Sequence, residues 1–245
     1  MKYACVFAHQ DDEMRCLGTL LRLREQGHEV AFITITSGDK GLPFAEPGSN
    51  ERAVAVRDGE MRTVAAAFDA AYLCLGREDG FLYDDDALRR DLIAALRSVK
   101  PDVLFTHWTS DYNADHVVTA KAATDAALFT NLGSFEPQVP AIDAVPRIWY
   151  VDTGAGYSFE STHFVELASR HAARKSELIR THASQMDVMR QLRGHDYADE
   201  MAVADQVTGA RLMSAYAEAF RPCLAERRIP WPSDLPGQLD KEDRG

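Results

Sequence analysis

The chain has 245 residues, 46% of them hydrophobic, which suits one large domain with a real core and excludes disorder along its length. Lys plus Arg is 27 against 38 Asp plus Glu, a formal net charge of −11 with no basic stripe to offset it, so a nucleic-acid backbone is excluded as a partner. Cys5, Cys16, Cys74 and Cys223 form no CxxC pair, which excludes a cysteine zinc cage and a redox dithiol.

Tyr3–Ala8 is a short apolar run, the pattern of a strand covered on both faces. The opening MKYACVFAHQDD turns acidic too early for a signal peptide, and no apolar run in the chain approaches a membrane span, so a soluble, cytoplasmic protein is expected. Met14–Gln26 sets Leu17, Leu20, Leu21 and Leu23 at helical spacing, and Gly27 stops it. Val30–Thr36 is rich in β-branched residues and predicts a second buried strand. Ser37–Ser49 is a Gly- and Pro-containing loop of a length that is often functional. Asn50 caps a helix running to about Phe68, and Tyr72–Leu75 makes a third strand. Asp86–Val99 is a helix that ends before Pro101. Asp102–His107 is a strand, Val117–Leu128 a helix, and Arg147–Asp152 a further strand. Phe164 to Phe220 reads as mostly helical, and the Pro-containing residues 221–245 as a surface tail to a single domain over residues 1–220.

Strands alternating with helices predict a Rossmann-like, doubly wound α/β fold with a largely parallel sheet and helices on both faces. In the common doubly wound order the first and fourth strands are neighbours, and ligands bind in the crevice beyond their carboxyl ends. The residues past those ends are His9-Gln10-Asp11-Asp12-Glu13 and the loop from His107 to Asp111, Asn113, Asp115 and His116. His9 and Asp12 can share one ion there, with His116 closing the set from the neighbouring strand. Two imidazoles and one carboxylate with an open position make a catalytic zinc site, although another divalent metal fits the same donors. Asp11, beside a ligand but pointing elsewhere, is the candidate general base, and Asp115 the candidate to hold a ring N–H of His9 or His116. The plainer alternatives are that Asp11, Asp12 and Glu13 are anions at a helix N-terminus, and that His107 is a buried strand-end histidine.

These segments resemble the LmbE/PIG-L family of zinc-dependent N-deacetylases. Further matches are Thr36-Ser37-Gly38, Arg57-x-x-Glu60, Asp79-Gly80, Lys175, His182-Ala183-Ser184-Gln185 and Ala217-Glu218-Ala219-Phe220, in the family's order along nearly the whole chain. The resemblance implies that His9, Asp12 and His116 hold the zinc, that Asp11 is the base and that Asp115 orients a histidine. It also implies that Arg57 and Asp79 contact substrate hydroxyls, where a surface salt bridge from Arg57 to Glu60 or Asp58 is the alternative. The expected activity is removal of an N-acetyl or other N-acyl group from an amino sugar or a glycosylated small molecule.

Two positions depart from the family pattern. Gln10 replaces a usual proline and is expected to turn its amide to the crevice. Asn113 stands where the family has a histidine that stabilises the oxyanion and protonates the amine; Asn donates a hydrogen bond but delivers no proton, which leaves His107 as the nearest imidazole able to do so. Two other readings stay open: a non-haem iron oxygenase, since its facial triad uses the same donors, and a non-catalytic sugar- or metal-binding relative.

Overall fold

Alternation along the first strand decides the layers. In the computed structural model, which describes residues 1–42, 50–152, 158–237 and 239, β1 (Lys2–Phe7) sends Tyr3, Cys5 and Phe7 to one face and Ala4, Val6 and then Ala8 to the other. Both sets are buried, so β1 is a central strand covered on both sides. The strands β2 (Glu29–Thr36), β3 (Ala71–Arg77), β4 (Val103–Thr106) and β5 (Arg147–Val151) run parallel to it, in the order β3-β2-β1-β4-β5.

Helices pack on each face according to their apolar stripes. α1 (Leu17–Glu25), α2 (Asn50–Ala67), α5 (Ser169–Ile179), α6 (Ala183–Arg193) and α7 (Tyr197–Ala210) meet the Tyr3 face. α3 (Asp86–Val99) and α4 (Ala114–Phe129) meet the Ala4 face with Leu88, Leu92, Leu96, Ala123 and Ala127. The result is the expected α/β fold with a mostly parallel sheet and helices on both faces. Among the described residues no helix is long and apolar enough to cross a membrane.

The region read as mostly helical from Phe164 to Phe220 is corrected at both ends. β6 (His163–Leu167) and β7 (Tyr216–Pro222) are strands, and β7 pairs antiparallel with β5 and with β6 to finish the order β5-β7-β6. The sequence of β7, YAEAFRP, carries Ala and Glu that favour helix, and its inward Glu218 breaks the strand pattern of apolar residues. Glu218 is tolerated because its carboxylate accepts from the Gly18 and Thr19 backbone N–H groups at 2.9 and 2.7 Å, at the start of α1, and from Lys175 Nζ at 2.7 Å. Residues after β7 stay against the sheet: Cys223 N donates to Ile148 O of β5, and Tyr3 Oη of β1 to Asp234 O.

Just before the first helix, residues Asp12–Arg15 form a short 3-10 turn, and α1 itself begins at Leu17 rather than Met14. That turn, directly after β1, holds the candidate site.

Candidate active site

β1 and β4 are adjacent and parallel, with Tyr3 opposite Val103 and Val6 opposite Thr106. The chain leaves β1 for β2 on one side, while β4 lies on the other, so their carboxyl ends open a crevice. Asp11, Asp12, His107, Asp111 and His116 line it.

Three donors converge from the two strand ends: one ligand atom each of His9, Asp12 and His116 lies within 4.8 Å of the others. His9 Nδ1 is 3.3 Å from Asp12 Oδ2, and His116 Nε2 is 3.2 Å from Asp12 Oδ1. The far nitrogens lie beside other carboxylates. His9 Nε2 lies 3.3 Å from Asp115 Oδ2 and 3.1 Å from Asp79 Oδ1, and His116 Nδ1 lies 3.1 Å from Asp111 Oδ2. Assigning the ring protons from these neighbours puts N–H on His9 Nε2 and His116 Nδ1, which leaves the lone pairs of His9 Nδ1 and His116 Nε2 beside Asp12. Of the two histidines open to Asp115 in the sequence, the structure selects His9; the partner of His116 is Asp111, which sequence reasoning missed although it lies in the same loop.

Two other carboxylate–imidazole groups are equally tight, His107 with Asp111 and His116, and His9 with Asp79 and Asp115. Their donors are already used. His107 Nε2 accepts the Ala8 N–H at 3.0 Å, and Asp115 accepts from Gly80 N at 2.7 Å and Leu82 N at 3.2 Å. The His9, Asp12 and His116 set therefore fits a divalent ion best: a carboxylate and two imidazoles, each of which would give up the proton on the nitrogen beside Asp12 as the ion binds, all open to the crevice.

Electrostatics in the cluster follow from burial and close opposite charges. Burial works against the His9 cation, yet Asp12, Asp115 and Asp79 outweigh it and raise its pKa well above the usual histidine value. For His116 burial is likewise outweighed by Asp12 and Asp111, and its pKa rises to about 9. Burial raises Asp12, but His116, His107 and His9 pull it well below the carboxylate range. His107 goes the other way: burial and the neighbouring His116 charge lower it to about 4. Its ring stacks on His116 at 3.9 Å between centroids. With Nε2 accepting from backbone and no charge at neutral pH, His107 is a poor proton donor, and its evident task is packing His116 against β1.

Asp11 is the strained residue of the site. Its φ is +126°, a region L-residues rarely adopt, and several contacts over-determine it. Its backbone N–H donates to Glu13 Oε2 at 3.0 Å, and Glu13 Oε1 is held by His182 Nε2 at 2.6 Å. Arg57 Nη2 donates to Gln10 O at 2.5 Å and to Asp11 Oδ1 at 3.0 Å. Burial, only partly opposed by Arg57, raises the Asp11 pKa to about 6, with Asp12 adding to the rise. The Glu13–His182 pair escaped sequence reasoning because its partners are 169 positions apart; the quoted His182 motif was the available signal.

Arg57 makes no surface salt bridge, since Glu60 accepts from Ser184 N and Oγ, and Asp58 from Arg62. It is buried, and it reaches Asp79 Oδ2 at 3.6 Å as well as Asp11. Gly38, at φ +69°, lets the loop after β2 pass close to this group: a Cβ there would lie 2.5 Å from Gln10 Oε1 and 2.9 Å from Arg57 Cδ. Gln10 itself corrects an expectation. It is fully buried, and its amide donates to Thr36 O at 3.1 Å, tying β1 to β2 instead of facing the crevice. Asn113 also differs from its expected role. Its Oδ1 accepts the Asp115 N–H at 2.8 Å and caps α4, so the side chain is committed to the helix and is not among the residues lining the crevice. Residues 43–49 of the Ser37–Ser49 loop lie outside the described residues.

A family model described as PIG-L, GlcNAc-PI de-N-acetylase, matches residues 4–127. Among solved structures, the chain is similar to an N,N'-diacetylchitobiose deacetylase from Pyrococcus horikoshii at 22% identity, with a TM-score of 0.78 over 91% of this chain and 83% of that one. It is similar to a conserved protein from Thermus thermophilus at 22% identity and TM-score 0.74, over 94% and 98% of the two chains. It is also similar to GalB, a 4-carboxy-2-hydroxymuconate hydratase from Pseudomonas putida, at 19% identity and TM-score 0.77, over 92% and 98%. At these identities the likenesses speak for a shared fold.

Proposed function

We propose that this chain, which belongs to the PIG-L family, is a metal-dependent hydrolase that removes an N-acetyl or other N-acyl group from the amine of a small, sugar-like substrate. The observation that carries the reading is one donor set, His9, Asp12 and His116, beside a base held in a strained conformation at the crevice. A divalent ion on those donors, zinc by their chemistry, supplies Lewis acidity and lowers the pKa of a water toward about 7.

The chain's own residues do the rest. Asp115 accepts the His9 ring N–H, and Asp111 sets a carboxylate charge 3.1 Å from His116 Nδ1, so each ring turns its other nitrogen to the ion. Arg57 occupies Asp11 Oδ1, which leaves Oδ2 to take a proton from the attacking water. An aspartate whose pKa is lifted toward 6 is a stronger base than an exposed one and still ionised at neutral pH. Once protonated, Asp11 is also the group placed to return that proton to the leaving amine, since His107 and Asn113 are otherwise engaged. Substrate enters along the face of the crevice lined by Tyr112, Asp152 and Tyr197. Acetate release from a panel of N-acetyl amino sugars, with and without chelator, tests the reading; no chelator-sensitive release from any of them would reject it.

A second reading, addition of water to an unsaturated acid, is favoured by one observation: no imidazole acid faces the crevice from the Asn113 position, and hydration needs no protonated leaving amine.

A further inference from the structure

Arg15 closes the 3-10 turn that Asp12 opens. In such a turn residues three apart eclipse one another, separated by about 6 Å along the axis at roughly 2.0 Å per residue. The Arg15 side chain therefore stands on the same side of the turn as the Asp12 carboxylate, and both line the crevice. Among the described residues Arg15 has no hydrogen-bond, ion-pair or ring partner. Arg52 and Arg227 also lack one, but those two are exposed, whereas Arg15 is half-buried.

A guanidinium partly withdrawn from water beside Tyr112 and Tyr197 gives up hydration without a hydrogen bond from any described residue to replace it, although its charge acts on Asp205 and Tyr112. Its surroundings sharpen the point. The crevice holds Asp11, Asp12, Asp111 and Asp152 in a chain of net charge −11, so an anionic group lying away from the metal donors meets repulsion that Arg15 would offset there. A planar fork of donors matches a carboxylate or a phosphate in two parallel hydrogen bonds.

We propose that Arg15 is a specificity residue that holds an anionic group, carboxylate or phosphate, on a substrate whose acyl amide lies a few bonds away at the His9, Asp12 and His116 donors. The inference deepens the hydrolase reading and rests on it for the position of the amide.

The test uses three probes sharing one N-acetyl sugar: N-acetylglucosamine, N-acetylmuramic acid with its carboxylate, and N-acetylglucosamine 1-phosphate. Their binding to the zinc-loaded Asp11→Asn protein, where turnover is slow, is measured by calorimetry. At least one anionic probe should bind roughly tenfold or more tightly than the neutral sugar, as a charge-assisted bidentate pair supplies. Adding Arg15→Gln should close that gap, Arg15→Lys should restore part of it, and raised salt should shrink it. Which anion wins tells carboxylate from phosphate. Equal affinities for the three probes, no binding of either anion, or an anionic preference that survives Arg15→Gln overturns the assignment. Acetate release by the unaltered enzyme separates the two claims. Selective anion binding without release rejects the deacetylase reading alone, and release without anion preference rejects Arg15 alone.

Discussion

The donors of the candidate metal site differ in what stands behind them, and substitution should expose this. His9→Ala, Asp12→Ala and His116→Ala each remove one of three donors and should sharply lower the metal bound per chain, read by elemental analysis after dialysis. Full metal content in His116→Ala would sink the ligand set. Asp11→Asn should keep both metal and fold but lose roughly 10²- to 10⁴-fold in kcat/KM, the size of a general-base contribution. Glu13→Gln tests the support for that base, because it weakens the charge that holds Asp11 N–H and His182 together. It should lower kcat with little change in bound metal, and an unaltered kcat would show that the strained φ of Asp11 is held without Glu13. Asn113 belongs to a different class. As the cap of α4, Asn113→Ala should cost about 1 kcal/mol of stability in a denaturant titration, with a smaller effect on turnover.

At the level of elements, the packing of α1, α5 and α7 on β7 turns on one buried charge cluster. Lys175 Nζ lies 2.7 Å from Glu218 Oε1 and 2.7 Å from Asp205 Oδ2, and all three residues are buried. Glu218 also accepts from the Gly18 and Thr19 N–H groups at the start of α1, whereas Asp205 has only Lys175 as a partner. Burial, with the Glu218 charge adding and Lys175 opposing, pushes the Asp205 pKa up to about 6 from 3.8. A folded-state pKa above the unfolded one means the native state binds more protons between those values. The contribution is therefore full below about pH 4 and lost as pH rises through 6. Thermal melts should show a component of stability lost across pH 4–6, to which Asp11 contributes in the same range, and Asp205→Asn, which keeps an acceptor for Lys175 and cannot ionise, should make the slope shallower. A slope unchanged in Asp205→Asn would place the titrating group elsewhere.

For the whole molecule, the candidate metal donors join segments that are remote in sequence but adjacent across the β1–β4 seam. An ion bound only by the folded state stabilises it by RT ln(1 + [L]/Kd), about 2.7 kcal/mol at a hundredfold excess over Kd. Zinc should accordingly raise the melting temperature and chelator lower it, and the shift should vanish in His116→Ala. A zinc shift that persists in His116→Ala would mean the ion binds at another group of residues.

The sequence by itself determined the parts of this protein that rest on local patterning. Buried strands show as apolar runs, α3 as a stripe between Asp85 and Pro101, and the two clusters past β1 and β4 as polar residues where a doubly wound sheet opens its crevice. The convergence of His9, Asp12 and His116 was legible for the same reason, since each cluster lies within a few residues of a strand end. Tertiary structure alone decided the orientation and loading of those residues. Whether Asp115 serves His9 or His116, whether Gln10 faces the crevice or Thr36, and whether Arg57 meets Glu60 or Asp11 depends on which distant element packs beside it. β7 was illegible because its inward Glu218 is acceptable only where Lys175 and the start of α1 converge on it. Burying a charge costs free energy that only partners elsewhere in the chain can offset, and those partners leave no mark on the local pattern.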